Sequence, residues 1–181
     1  MSKTVLITGA STGIGRETAK YFQEKGWNVA ATMRSPEKEE ELTKLHNVIC
    51  PKLDVTDEKS IVLAFEKTFK EFGNIDVIVN NAGYSLTGVF EAATTAQLQH
   101  QYDVNVFGVM NVVRAILPYF RERKSGSIVN VSSVGGKMTL PLYSMYQSTK
   151  WTVSGFSEAL HIHCSQLILP FWYVSLTDRR N

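Results

Sequence analysis

Two stretches of the chain set a tyrosine four residues before a lysine: Tyr21 and Lys25 in Y-F-Q-E-K, and Tyr146 and Lys150 in Y-Q-S-T-K. On a helix this spacing puts both side chains on one face. A phenol so placed can protonate a developing alkoxide or deprotonate an alcohol. It needs help, because its ordinary pKa near ~10 is too high for a base at neutral pH; an adjacent ammonium stabilises the phenolate and lowers it. Chance alone supplies about half such a pair in a chain of this composition, so spacing cannot say which copy is chemistry. The elements around each copy must decide.

Short apolar runs alternate with amphipathic stretches, which predicts parallel strands joined by crossover helices. The expected strands are Val5–Thr8, Asn28–Thr32, Val48–Leu53, Val77–Asn80 and Ser127–Val131, with Phe171–Leu176 able to form a sixth. Ile61, Phe65, Phe69 and Phe72 follow a helical period that starts at Thr56-Asp57-Glu58 and stops at Gly73. Thr56 is the expected cap. A longer stripe runs from Leu98 to Phe120, and a last one through Val153, Phe156 and Leu160 carries Tyr146 and Lys150 in its first turns. The fold class is α/β, a doubly wound Rossmann-like parallel sheet with helices on both faces. In such a sheet ligands gather at the carboxyl ends of the strands.

The first strand runs directly into T-G-A-S-T-G-I-G, residues 8–15. Glycines permit a tight turn there, and backbone N–H groups opening a helix can receive a pyrophosphate. Gly9, Ser11, Thr12, Gly13, Ile14 and Gly15 are therefore candidate cofactor-binding residues. At the end of the second strand Met33 stands where an acid would accept the ribose 2′-hydroxyl of NAD, and Arg34 follows. Arg34, with Arg16 just past the glycine loop, suits a 2′-phosphate. NADP is the expected cofactor, ahead of NAD.

The glycine loop, N-N-A-G at residues 80–83, and Y-x-x-x-K with an upstream serine together resemble the short-chain dehydrogenase/reductase family, over residues 4 to about 160. The resemblance implies that a serine about a dozen residues before the tyrosine orients the substrate oxygen. Ser133 lies thirteen residues before Tyr146; Tyr21 has no such serine and follows the glycine loop. Tyr146 is thus the candidate acid/base and Tyr21 a helix-packing residue. Lys150 would lower the phenol's pKa and hold the nicotinamide ribose, and Asn105 would support a proton relay, against the alternative of an amide satisfied within its helix. Ser132 and Tyr143 break the interval and rank as neighbours, with pocket lining as the alternative role for Tyr143. The resemblance also puts Asp54 and Val55 at the adenine and Asn81, Ala82 and Gly83 beside the nicotinamide, where Gly83 allows close backbone approach.

The 181 residues fit one domain with a sizeable core. A net charge of +2 without basic runs argues against nucleic acid, and no apolar run suits a membrane span. Cys50 and Cys164 lack metal-ligand spacing, His161 and His163 lack a third ligand, and so no metal and a reducing cytoplasm are expected. Residues 1–160 read as the NAD(P)-binding domain with its catalytic residues. Residues 161–181 depart from the family pattern and read as a divergent or truncated tail of that domain, lacking the last family strand and helices. The expected function is NADP(H)-dependent interconversion of a small-molecule alcohol and a carbonyl by a homo-oligomer. The competing expectation is an inert family member that binds nucleotide or a partner subunit.

Overall fold

The computed structural model describes residues 2–165 and, as backbone only, 171–174. Six parallel strands form one sheet in the order β3-β2-β1-β4-β5-β6. They are β1 (Thr4–Ile7), β2 (Asn28–Ala31), β3 (Val48–Ile49), β4 (Val77–Asn80), β5 (Ser127–Val131) and β6 (Phe171–Val174). The helices are α1 (Gly13–Glu24), α2 (Glu58–Phe72), α3 (Thr95–Tyr102), α4 (Gly108–Arg123) and α5 (Ser144–Ser165). Side chains alternate across each strand. Leu6, Ile78 and Ile128 therefore join a core with Ile61, Val112 and Val153 from α2, α4 and α5. Val5, Ile7 and Val29 face the other way, onto Ala19 and Phe22 of α1. Strand order reverses between β1 and β4, which opens a crevice at their carboxyl ends.

Three local expectations need correction. The third strand is two residues long rather than six, because Pro51 has no N–H to give the ladder; pairing resumes only as a bridge between Met33 and Lys52. The cap of α2 is Asp57, whose carboxylate accepts from the Lys59 N–H, while Thr56 is engaged by Asp54. Gly73 does end the helix, in the left-handed conformation at φ 79°. The stripe from Leu98 to Phe120 is not one α-helix: a π turn at Asp103–Phe107 separates α3 from α4. Ser175 and Leu176 of the expected sixth strand, and the side chains of His163 and Cys164, lie outside the described residues. Among the described residues no group of side chains could hold a metal, Cys50 is a free thiol, and no helix is long and apolar enough to cross a membrane.

Candidate active site

The glycine loop and the N-N-A-G segment are built against each other. Gly9 has φ 67°, and a Cβ on it would sit 2.8 Å from the Ala82 Cα. A Cβ on Gly15 would collide with the Asn81 amide and the Gly9 carbonyl. Thr8 Oγ1 accepts from the N–H groups of Asn81 and Ala82 at 3.1 and 3.0 Å. The Asn81 amide donates to the carbonyls of Thr8 and Gly9, both at 3.0 Å. Asn81 therefore shapes the loop with the atoms that a ligand-contacting role would use. Beyond the loop, α1 opens at Gly13 with no side-chain cap from Thr12 and no acid in its first turn. Its first N–H groups and the positive end of its dipole are left to whatever lies in front of them.

What lies in front is a cavity of about 670 Å³, within the range of ligand pockets. Of the residues expected at a cofactor, Gly9, Ser11, Thr12, Ile14, Arg34, Asp54, Val55, Asn81, Ala82, Gly83, Tyr146 and Lys150 line it; the exposed Gly13 and the buried Gly15 do not. Arg34 is exposed and makes no ion pair among the described residues. Asp54 is pulled two ways. Burial works to raise its pKa, but the N–H and hydroxyl of Thr56, then the charges of Arg34 and His100, hold it below the usual carboxylate value. The expected second guanidinium is elsewhere: Arg16 bonds Glu39 at 2.7 and 3.0 Å, Glu41 at 2.8 Å and the Ser11 carbonyl at 3.0 Å. Glu41 is held at about 2 by its bonds from Lys20 and then Arg16. A guanidinium so saturated is a brace between the glycine loop and the turn at residues 39–42, and it does not line the cavity.

The reactive end is built by β5 and α5. Lys150 is 6% exposed, and its Nζ donates to the Val131 carbonyl at 2.9 Å and stands 5.8 Å from the Tyr146 ring centre. Burial lowers its pKa to about 8. The other copy of the motif has similar internal geometry, with Lys25 Nζ 5.3 Å from the Tyr21 ring, but there both residues are exposed, Tyr21 on α1 and Lys25 just past its end. Only the second pair faces the cavity. Asn105 sits in the π turn, 1% exposed. Its Oδ1 accepts from the Tyr84 N–H at 3.0 Å, and its Nδ2 donates to the Tyr84 carbonyl at 2.8 Å and to Thr149 Oγ1 at 3.1 Å. The amide thus clamps the strand-four loop to α5, and a Cβ on Gly83 would lie 3.1 Å from Asn105 Oδ1 and 3.8 Å from Lys150 Nζ.

Of the two serines, Ser132 lines the cavity, with its hydroxyl bonded to Ser154 Oγ at 2.9 Å and to the Lys150 carbonyl at 3.3 Å. Ser133 caps the short turn at Val134–Gly136, where its Oγ accepts from the Gly135 N–H at 3.1 Å; it is not among the lining residues. Tyr143 does not line the cavity either, and meets Tyr146 edge-on with ring centres 6.4 Å apart. Sequence reasoning missed Tyr84, Ser85, His100, Val104 and Val131 in the wall. Tyr84 could have been found, since it follows N-N-A-G directly. His100 could not, because only the packing of α3 brings it there.

A doubly wound sheet with a glycine-rich β1–α1 turn, and a Tyr–Lys helix at the same crevice, defines a class of α/β oxidoreductase folds. The model of the short chain dehydrogenase family matches residues 3–167, and the chain belongs to that family. It is 41% identical to a 3-ketodihydrosphingosine reductase of Bacteroides thetaiotaomicron, an alignment covering 98% of this chain and 66% of that one. A short-chain dehydrogenase from Streptomyces avermitilis superposes with a TM-score of 0.91 at 35% identity, covering 97% of this chain and 65% of that one. ElxO with NADP bound superposes at 0.90 and 32% identity, over 97% and 73%. The chain spans 54% to 66% of the length of the curated relatives it matches.

Proposed function

We propose that the protein is an NADP(H)-dependent oxidoreductase interconverting an alcohol and a carbonyl. The observation that carries this is the buried Lys150 ammonium beside Tyr146 in the wall of the cavity that the glycine loop opens into. The cavity fits a dinucleotide on three counts. The α1 N-terminus has no side-chain cap, Gly9 and Gly15 let the loop close on Ala82 and Asn81 where any Cβ would collide, and Arg34 offers a charge outside any ion pair among the described residues where a 2′-phosphate needs one. Gly9, Ser11, Thr12 and Ile14 would hold the pyrophosphate, Arg34 the 2′-phosphate, Asp54 and Val55 the adenine, and Ala82 and Gly83 the nicotinamide side. That ElxO was solved with NADP supports the same choice.

NADPH, when bound, supplies the hydride to the carbonyl carbon. The carbonyl π electrons then pass to oxygen, and Tyr146 Oη delivers its proton to that oxygen; in the alcohol-oxidising direction the phenolate takes the proton back. The Lys150 charge stabilises the phenolate, and the same Nζ would hold ribose hydroxyls. Ser133 is assigned the hydrogen bond to the substrate oxygen as charge develops; accepting from the Gly135 N–H does not use its hydroxyl proton. Asn105 supports proton resupply by fixing the Gly83–Tyr84 wall beside Lys150. The protein works as a homo-oligomer, a reading supported by the half-exposed Phe107 at the end of the π turn and Trp151 on α5. The test is carbonyl-dependent oxidation of NADPH: Tyr146→Phe should lower turnover by about 100- to 10,000-fold. Undiminished turnover in that variant would remove the mechanism.

A further inference from the structure

Beside Tyr146 the cavity, which Tyr84 and Ser85 help to line, is flanked by two loops. One follows β4, from Tyr84 to Phe90; the other leads into α5, from Met138 to Tyr143. They are tied together, since the Gly88 N–H donates to the Leu142 carbonyl at 2.9 Å. The second loop is also tied to the catalytic helix: Gln147 Nε2 donates to the Met138 carbonyl at 3.1 Å, and the Gln147 N–H to the Tyr143 carbonyl at 2.8 Å. Tyr84 belongs to the cavity wall and Tyr143 touches Tyr146, so loops and cavity are continuous.

The character of this rim is unusual for a surface. No charged residue occurs from Tyr84 to Phe90 or from Met138 to Thr149. Val89, Phe90, Met138, Leu140 and Leu142 are all exposed, between 45% and 60%. Scattered apolar side chains on a surface need no explanation, but a contiguous set beside a site does. Leu142 adds an independent sign. It holds φ 65°, a left-handed conformation that disfavours any residue with a Cβ, yet its side chain is 57% exposed and gains little by burial. Strain of this kind persists where function needs the side chain in that place.

We propose that the substrate is an apolar alcohol or ketone whose hydrocarbon portion lies across this ledge, against Phe90, Leu140 and Leu142, while its oxygen reaches Tyr146. This rests on the carbonyl chemistry proposed above and adds the substrate class to it. A carboxylate-bearing substrate finds no charged partner within either loop. A hydrocarbon finds surface that water leaves readily.

The full chain, with NADPH, is assayed on methyl ketones from 2-butanone to 2-dodecanone and on keto acids of matched length. kcat/KM should rise about two- to fourfold per methylene, depending on how completely each is covered, and the keto acids should fall below the ketones at every length. Leu142→Asn, chosen because asparagine tolerates the left-handed backbone, should flatten that slope; Leu63→Asn on the exposed face of α2 should leave it intact. A slope that is flat in the wild type, or unmoved by Leu142→Asn, overturns the proposal. Binding is read separately as the thermal shift given by 2-dodecanone in the presence of NADPH. A shift without turnover would sink the hydride-transfer reading and keep the apolar ledge, whereas turnover of short ketones with no shift from 2-dodecanone would do the reverse. If a second copy of the chain covers the ledge instead, Phe90→Asp will dissociate an oligomer in sedimentation without changing the slope, which also overturns it.

Discussion

Lys150 is the residue on which charge and burial conflict most. In water its ammonium would lose its proton near 10.5, and burial brings that down to about 8. The folded state thus binds this proton more weakly than the unfolded chain does. Between about pH 8 and 10.5 the unfolded chain holds the proton and the folded state releases it, so stability contributed through this group rises with pH across that window. Below it the cost is constant, at most about 3 kcal/mol. Lys150→Met should therefore abolish turnover and yet resist urea better than the wild type at pH 7. The advantage should shrink as pH approaches 10.5; a constant difference across that range would mean the charge is not what burial penalises. Arg34 is simpler. As an exposed, uncompensated cation it can discriminate cofactors without a folding role, and Arg34→Glu should reduce the preference for NADPH over NADH about 10- to 100-fold with melting temperature unchanged. The brace Arg16 should not behave this way: removing it loosens the glycine loop for both cofactors alike.

At the scale of elements, the site depends on three joints between segments far apart in sequence. The β1 and β4 loops are joined by Thr8 and Asn81. The β5 end reaches α5 through Val131 and Lys150, and the π turn reaches both through Asn105, Tyr84 and Thr149. The π turn supplies the last joint because one extra residue in the turn re-aims the side chain that follows, a use often met at functional sites. Asn81→Ala strips two carbonyls of their donor at a nearly closed contact, where a lost buried hydrogen bond costs about 1–3 kcal/mol. NADPH affinity should fall about tenfold or more while kcat at saturation is largely retained, as isothermal titration and steady-state kinetics can show. Asn105→Ala should act the other way, chiefly on kcat, since its bonds hold the wall beside the reacting atoms. A KM effect alone would place Asn105 with the structural amides.

For the whole molecule, the parallel sheet makes the crevice and a dinucleotide should in turn stabilise the sheet. At a thousandfold excess over Kd, binding adds about 4 kcal/mol, and NADPH should raise the melting temperature by several degrees more than NADH does. The apolar side chains that the described residues leave exposed divide by place. Phe107 ends the π turn and Trp151 lies on α5, whereas Val89, Phe90 and Leu142 belong to the loops after β4 and before α5. Trp151→Glu should therefore weaken self-association in sedimentation while leaving the chain-length dependence of ketone turnover alone. Loss of both together would mean that the two surfaces act as one.

The alternation of apolar runs and helical stripes was enough to specify the doubly wound sheet, because burial on both faces of a strand and one face of a helix is a local property of the chain. The glycine spacing and the Tyr–Lys interval were likewise legible, since each is a constraint within a single turn. Where a side chain meets a residue twenty or more positions away, local pattern was silent. It could not say that Arg16 would be captured by Glu39 and Glu41, that Asn81 would bond Thr8 and Gly9, or that His100 would join the wall. The two Tyr–Lys pairs show the division most plainly. Their spacing and internal distances are alike, and only tertiary packing buries Lys150 at the mouth of a cavity while leaving Lys25 in water, because desolvation depends on what the rest of the chain brings alongside.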